Sequence, residues 1–242
     1  MSFDSMVPDD EMALAETLPQ ADASSLVDRV LLEAQVKDMY RQVAREQEAA
    51  LHFEVGRPLA LRVGYPGELL DSIPAEALAS FAGVGYHLDL AALVPGESVL
   101  DLGSGSGTDV FCAALQVSES GRVVGVDFKR LRDRDGFVQV EFADASIDAL
   151  PFEDGVFDVV ISNGVINLSP IKHRVFAETA RVLRPGGRLA LADIVSGKPL
   201  KERTRRNVEL WAACIAGAIP RTSYLETIEA AGFRVEQTRT DD

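Results

Sequence analysis

VLDLGSGSGTD, residues 99–109, is the stretch that decides the fold. Its first four residues, three of them apolar, read as the end of a buried strand. Gly103, Ser104, Gly105, Ser106 and Gly107 follow as a tight turn, in which glycine lets the backbone lie against a ligand without a Cβ in the way. TDVFCAALQV (108–117) then takes up a helical pattern. Strand, glycine-rich turn and helix together open a βαβ unit, and ligands of open parallel sheets bind beyond the carboxyl ends of the strands.

Outward from this turn the pattern repeats. ESVLDL (97–102), RVVGVDF (122–128), FVQVEFAD (137–144), FDVVISN (157–163), GRLALADIV (187–195) and FRVEQTRT (233–240) read as strands. HRVFAETARVL (173–183), a long region at 201–217 and a stretch at 222–231 read as helices. Such alternation predicts a parallel sheet with helices on both faces. Two connections are short for that plan. Only residues 127–137 separate Val126 from Val138, where a parallel crossover needs about a dozen residues or more. The sequence also stops just after the last strand, where an edge hairpin is expected to continue.

Upstream, Ser25-Leu26-Val27-Asp28 resembles a helix-capping box, and residues 27–51 carry helical spacing. The turn at Gly64-Tyr65-Pro66-Gly67 breaks the pattern, and Pro74 is expected in the first turn of a helix over 75–81. Residues 1–23 read as a loose acidic leader.

Charge and composition exclude several classes. The net charge of −14 disfavours nucleic acid and anionic membrane surfaces as partners. No apolar run approaches the roughly 18 residues of a membrane span. No Lys or Arg precedes Arg29, so the basic start of a signal peptide is lacking. Two cysteines, Cys112 and Cys214, build no disulfide framework, and a cytoplasmic location is expected. No metal site and no particular oligomeric state is expected.

Two strand ends support a nucleoside ligand at the glycine turn. Asp127 ends the second strand, where a carboxylate can accept both ribose hydroxyls, and Asp144 with Ala145 ends the third, beside an adenine edge. NAD fits less well: its G-x-G-x-x-G fingerprint needs glycine where Thr108 stands. Asp101 is unexplained by a dinucleotide but suits a cationic sulfonium amino acid.

Taken in order, DLGSGSG (101–107), Asp127, Asp144-Ala145, ALPFEDGVFD (149–158) and RPGG (184–187) resemble the class I S-adenosylmethionine-dependent methyltransferases, over about residues 97–237. The resemblance implies a Rossmann-like, seven-stranded, mostly parallel sheet with an N-terminal helical extension. It divides the chain into the leader 1–23, a substrate-side extension 24–96 and an S-adenosylmethionine-binding domain 97–242. It also implies that Asp101, Gly103 and Gly105 lie near the methionine part, Asp127 at the ribose, Asp144 and Ala145 at the adenine, and Asn163 under the sulfonium, with Ser104, Gly107 and Phe128 also among the cofactor-binding residues.

Closer still, ISNGVINLSP (161–170), LRPGGRLALADIV (183–195), CIAGA (214–218), GYPGELLDSIP (64–74) and FAGVG (81–85) are similar to arsenite methyltransferases. That family holds trivalent arsenic on cysteine thiolates, and soft thiolates suit a soft acceptor. Here two expected cysteines are replaced, by Gly164 and by Val84, and Cys214 alone remains. Cys112 belongs to the cofactor-side helix and reads as core. Trp211 and Cys214 lie three residues apart on a predicted helix face that could line a substrate pocket. Gly164, lacking a side chain, is expected to widen that pocket. Among His52, His87 and His173, each expected on a surface or in a loop, His87 is the best placed to meet substrate.

The function expected is methyl transfer to a small-molecule or metalloid acceptor, with Cys214 and Asn163 on the catalytic side. Arsenite or a small organic molecule would be the acceptor. A cofactor-binding protein without turnover is the rival, and a nicotinamide oxidoreductase a distant third.

Overall fold

The computed structural model describes residues 22–32, 34–36, 38, 54–127 and 137–240. Residues 29–32, 34–36 and 38 are helical, a start three residues later than the Ser25–Asp28 box predicts, because Asp28 Oδ1 accepts from Leu31 N at 3.0 Å and is itself the cap; residues 33, 37 and 39–51 of that expected helix, His52, and all of the acidic leader except its last two residues lie outside the described residues. Four short helices follow: α1 (Gly56–Arg62), α2 (Gly67–Asp71), α3 (Ala75–Leu78) and α4 (Leu88–Ala91). Pro74 is the N-cap of α3 rather than a first-turn residue, and α3 ends three residues earlier than expected.

Then come β1 (Ser98–Leu102), α5 (Thr108–Val117), β2 (Arg122–Asp127), β3 (Val140–Asp144), β4 (Phe157–Asn163), a single 3-10 turn (Ile166–Leu168), α6 (Lys172–Val182) and β5 (Leu183–Ala192). The strands form one sheet in the order β3-β2-β1-β4-β5, every neighbouring pair parallel. This is the expected Rossmann-like α/β plan. Val138 lies before β3 and is 82% exposed, so the third strand is shorter than its sequence suggests.

Alternation along the strands builds two cores. Val99, Val123, Val159 and Ile161 face one side of the sheet, among α5 residues Val110, Phe111 and Ala114. Leu59, Tyr65, Leu70, Ala77, Phe81 and Leu88, all upstream of β1, belong to that same core. Leu100, Leu102, Val124, Val126 and Val160 face the other side, against Phe176 of α6 and Tyr224 and Ile228 of α9 (Arg221–Ala230). The upstream helices therefore complete one of the two faces that a parallel sheet must bury.

Three expectations are corrected. The described residues hold five strands, not seven. Residues 233–240 form no strand: Phe233 and Val235 pack against the second core, but among the described residues they have no ladder partner. The expected helix at 201–217 is two short helices, α7 (Glu202–Arg205) and α8 (Val208–Ala212), divided where Asn207 accepts from Leu210 N and caps a new start. The fifth strand begins at Leu183 rather than after the RPGG turn; Pro185, which cannot donate to a ladder, is tolerated because β5 is an edge strand. Among the described residues no helix is long and apolar enough to cross a membrane.

One arginine fastens the upstream helices to β5. The guanidinium of Arg188 forks onto both Glu97 carboxylate oxygens, at 2.7 and 2.9 Å, and donates to the carbonyls of Ala91 and Ala92. Glu97 is only 8% exposed, so Arg188→Met leaves a largely buried carboxylate without its hydrogen-bonded cation. The arginine side chain is itself 36% exposed, which lowers the expected loss to about 2 kcal/mol. Melting should then fall by about 4–8 °C for a chain of this size; an unchanged melting temperature would contradict this role.

Candidate functional site

The site starts at the carboxyl end of β1. Gly103 N and Ser104 N both donate to Val126 O of β2, at 2.8 and 2.9 Å, so the turn is folded over its neighbouring strand. Gly103 has φ +71°, and a Cβ there would come within 2.4 Å of the Val165 side chain, so only glycine fits. Gly105 N donates to Asp127 Oδ2 at 2.9 Å, and Gly107 N to Ser104 O at 2.7 Å, which closes the turn just before α5. The buried Ser104 hydroxyl has no partner among the described residues.

Asp101 lies beneath this turn, 2% exposed. Among the described residues nothing hydrogen-bonds or ion-pairs with its carboxylate. Burial first, then Asp109 and Asp127, holds the carboxyl well above the usual range. A buried acid among other acids is a place where an arriving cation is stabilised.

Asn163, at the end of β4, gathers the second half of the site. Its Oδ1 accepts from Val84 N at 2.8 Å. Its Nδ2 faces Tyr65 OH at 2.9 Å, Gly85 O at 3.0 Å and Asp109 Oδ2 at 3.2 Å. Tyr65 OH in turn donates to Asp109 Oδ1. Burial, reinforced by Asp109, keeps that phenol well above its ordinary value. The ring of Tyr65 meets Phe81 and Tyr86 edge-on, with centroids 5.1 and 4.8 Å away. Thr108 Oγ1 ties the start of α5 to Ala77 O at 2.8 Å. Sequence reasoning missed Tyr65 and Asp109. The one signal for Asp109 was an acidic residue in the first turn of the helix after the glycine turn.

Val84, Gly164 and Cys214 converge beside this junction. Gly164, φ +71°, donates its N–H to Ala192 O at 2.8 Å. A Cβ on Gly164 would lie 3.2 Å from Val84 Cγ1. Cys214 Sγ is 4.0 Å from Gly164 O. The expected widening at Gly164 is thus corrected: the Val84 methyl groups stand against the space a side chain would take. Cys112 is buried in α5, its thiol pushed up by burial and then by Asp109 and Asp101.

Asp144 stands exposed beside Asp127 in the β2–β3 register, and Ala145 N donates to Asp127 O at 3.2 Å. Phe128 lies outside the described residues. Just beyond, Arg29 pairs with Asp148 at 2.9 Å, and Ala23 N donates to Pro170 O at 2.7 Å. Ala23 and Arg29 thereby reach the segments that follow β4 and β3.

Two pocket expectations change. Trp211 is 1% exposed, packed with Ala23, Val27, Leu32 and Ala216, and its indole donates to Arg205 O. It does not share a helix face with Cys214, because α8 ends at Ala212 and Cys214 takes φ +60°. His87 is buried at the start of α4, not on a surface, whereas His173 is exposed.

A methyltransferase-domain family model matches residues 93–232. The arsenite methyltransferase of Halobacterium salinarum is 38% identical over 189 residues, covering 75% of this chain and 48% of that protein. This chain thus spans about half the length of that relative. The crystal structure of an arsenic(III) S-adenosylmethionine methyltransferase from Chlamydomonas reinhardtii superposes with a TM-score of 0.56 at 33% identity, covering 72% of this chain and 60% of that one. A ubiquinone/menaquinone biosynthesis C-methyltransferase of Cronobacter sakazakii is 28% identical over 205 residues, covering 81% of this chain and 77% of its own.

His87 gives the site a pH signature. Neither ring nitrogen makes a hydrogen bond of good geometry, and burial lowers its basicity against the opposing pull of Asp109, the Gly85 backbone and Asp89. The unfolded chain takes up a proton at the ordinary histidine value, and the folded chain resists it. The stability contribution is therefore present above about pH 6.5 and is lost as pH falls below it, with a slope approaching about 1.4 kcal/mol per pH unit. Urea unfolding of the wild type should weaken more steeply than that of His87→Leu between about pH 6.5 and 5.5. Parallel curves would contradict a neutral buried imidazole.

Proposed function

Because the chain belongs to the methyltransferase-domain family, we propose that it transfers a methyl group from S-adenosylmethionine to a small organic acceptor, and that arsenite is not that acceptor. The observation that carries this reading is the single thiol at the acceptor side. Val84, Gly164 and Cys214 occupy one neighbourhood, yet only Cys214 offers sulfur. A soft trivalent metalloid needs several thiolates to be held and oriented. A valine methyl wall beside one thiol suits an uncharged organic molecule better.

The cofactor side fits a sulfonium nucleoside. Asp101 is a buried acid whose ionised form a cation would favour, and the buried Ser104 hydroxyl has no partner among the described residues. We assign the ribose to Asp127 and the adenine edge to Asp144 and Ala145. When bound, the cofactor supplies an electrophilic methyl for in-line displacement. The chain's part is to align the acceptor and exclude water. Asn163 has its amide committed to Val84, Gly85, Tyr65 and Asp109, so its part is to shape the wall between the two ligands. The acidic residues here keep cations and repel anions, which favours an acceptor that arrives neutral.

A second reading, a ring carbon as acceptor, is favoured by the breadth of the similarity to the C-methyltransferase, which spans 81% of this chain.

The test is S-adenosylhomocysteine formation by the purified chain, with and without arsenite plus a small thiol. Arsenite should give no stimulation. Val84→Cys combined with Gly164→Cys should gain arsenite binding, measured as bound arsenic per chain, despite roughly 1–2 kcal/mol of strain at the positive φ. Arsenite-stimulated turnover by the wild type, abolished by Cys214→Ser, would overturn the proposal.

A further inference from the structure

Lys172 opens α6, yet its side chain turns inward and the residue is 2% exposed. Its Nζ donates to Asn167 O at 2.9 Å and to Ser169 O at 2.8 Å. The Trp211 ring centroid lies 5.3 Å away, a cation–π distance. Two carbonyls and one aromatic face thus account for the three ammonium donors. The two carbonyls belong to the turn that follows β4, so the lysine draws that turn tight.

Asn167 sits inside the same turn and is fully buried. Its backbone N–H donates to Asp193 Oδ2 at 2.8 Å, and its side-chain Nδ2 donates to Cys214 O at 2.6 Å. Cys214 needs such a hold. It is a non-glycine residue at φ +60°, in a conformation that persists only where its surroundings over-determine it. Its thiol then lies beside Gly164 O.

We infer that Lys172 and Asn167 are positioning residues for the acceptor side of the site. Lys172 pins the 166–169 turn, and Asn167 fixes the Cys214 carbonyl and with it the thiol. The inference rests on the proposed reading only for the statement that Cys214 borders the acceptor. Neither residue touches the reacting atoms, and neither is among the residues whose types suggested chemistry in the sequence.

The hold depends on the lysine's charge. Asp193 after β5 faces it, and Tyr224 of α9 donates to Asp193 Oδ2 at 2.6 Å. Arg205 of α7 approaches from the Trp211 side. Asp22 and His173 interact at the outer surface of the same helix start. Burial lowers the ammonium to about 7, reinforced by Arg205 and opposed by Asp193. Near neutrality, then, the charge-assisted grip on the two carbonyls weakens as pH rises.

Iodoacetamide labelling of Cys214 tests this without knowledge of the acceptor, and buried Cys112 serves as the internal control. Lys172→Met should label Cys214 roughly tenfold faster than wild type at about pH 6, where the wild-type lysine is charged. That ratio should shrink toward unity by about pH 8.5, where the wild-type lysine has lost its proton. Asn167→Leu should label faster by a factor with no such pH dependence. Both variants should bind S-adenosylhomocysteine as the wild type does. Equal labelling at low pH, a ratio flat with pH, or labelling of Cys112 alongside Cys214 would overturn the inference. Faster labelling with unchanged methyl transfer would uphold the positioning role and instead contradict the assignment of Cys214 to the acceptor side.

Discussion

The site depends on the hydrogen bonds of one amide. Asn163 ends β4 in register with Ala192 of β5, and its side chain reaches Val84, Gly85, Tyr65 and Asp109. These partners come from the connections between the upstream helices and from the first turn of the helix after the glycine turn. Among the described residues, the amide is the polar tie between the segment carrying Val84 and β4. With it, the upstream segment becomes a wall of the cleft and part of the first core at once. A carboxamide suits this place because it donates and accepts together, and a buried group with partners on both sides contributes rather than costs.

Electrostatics divides the cleft into two sides. Asp101, Asp109 and Asp127 crowd the proposed cofactor side, and burial first, then repulsion from Asp109 and Asp127, leaves Asp101 reluctant to ionise. A sulfonium or ammonium relieves that strain, so cofactor binding and ionisation of Asp101 reinforce each other. The proposed acceptor side holds Val84, Gly164 and the Cys214 thiol. The nearby Lys172 is turned onto backbone carbonyls. The contrast matches a reaction that moves a methyl from a cationic donor to an uncharged acceptor.

Much of this was legible in the sequence because it is local. The glycine turn, Asp101, Asp127 and the strand–helix alternation are set by residues within about one βα unit of each other. What escaped notice is long-range. Tyr65 meets Asp109 across 44 positions and Asn163 across 98, and neither pairing leaves a periodicity. Gly164 seemed to open space because its neighbour Val84, which closes that space, lies 80 positions earlier. Lys172 drew no reading from the sequence, and the Trp211 ring it faces lies a further 39 positions on.

The most direct test of this account is hydrogen exchange by mass spectrometry on Asn163→Ala beside the wild type, each with S-adenosylhomocysteine present. If the amide joins the upstream segment to the site, peptides covering residues 65–86 should exchange faster in the variant, while those covering β1 and β2 keep wild-type protection. Wild-type exchange across 65–86 in the variant would mean that packing alone holds that wall, and the central role given to Asn163 would be wrong.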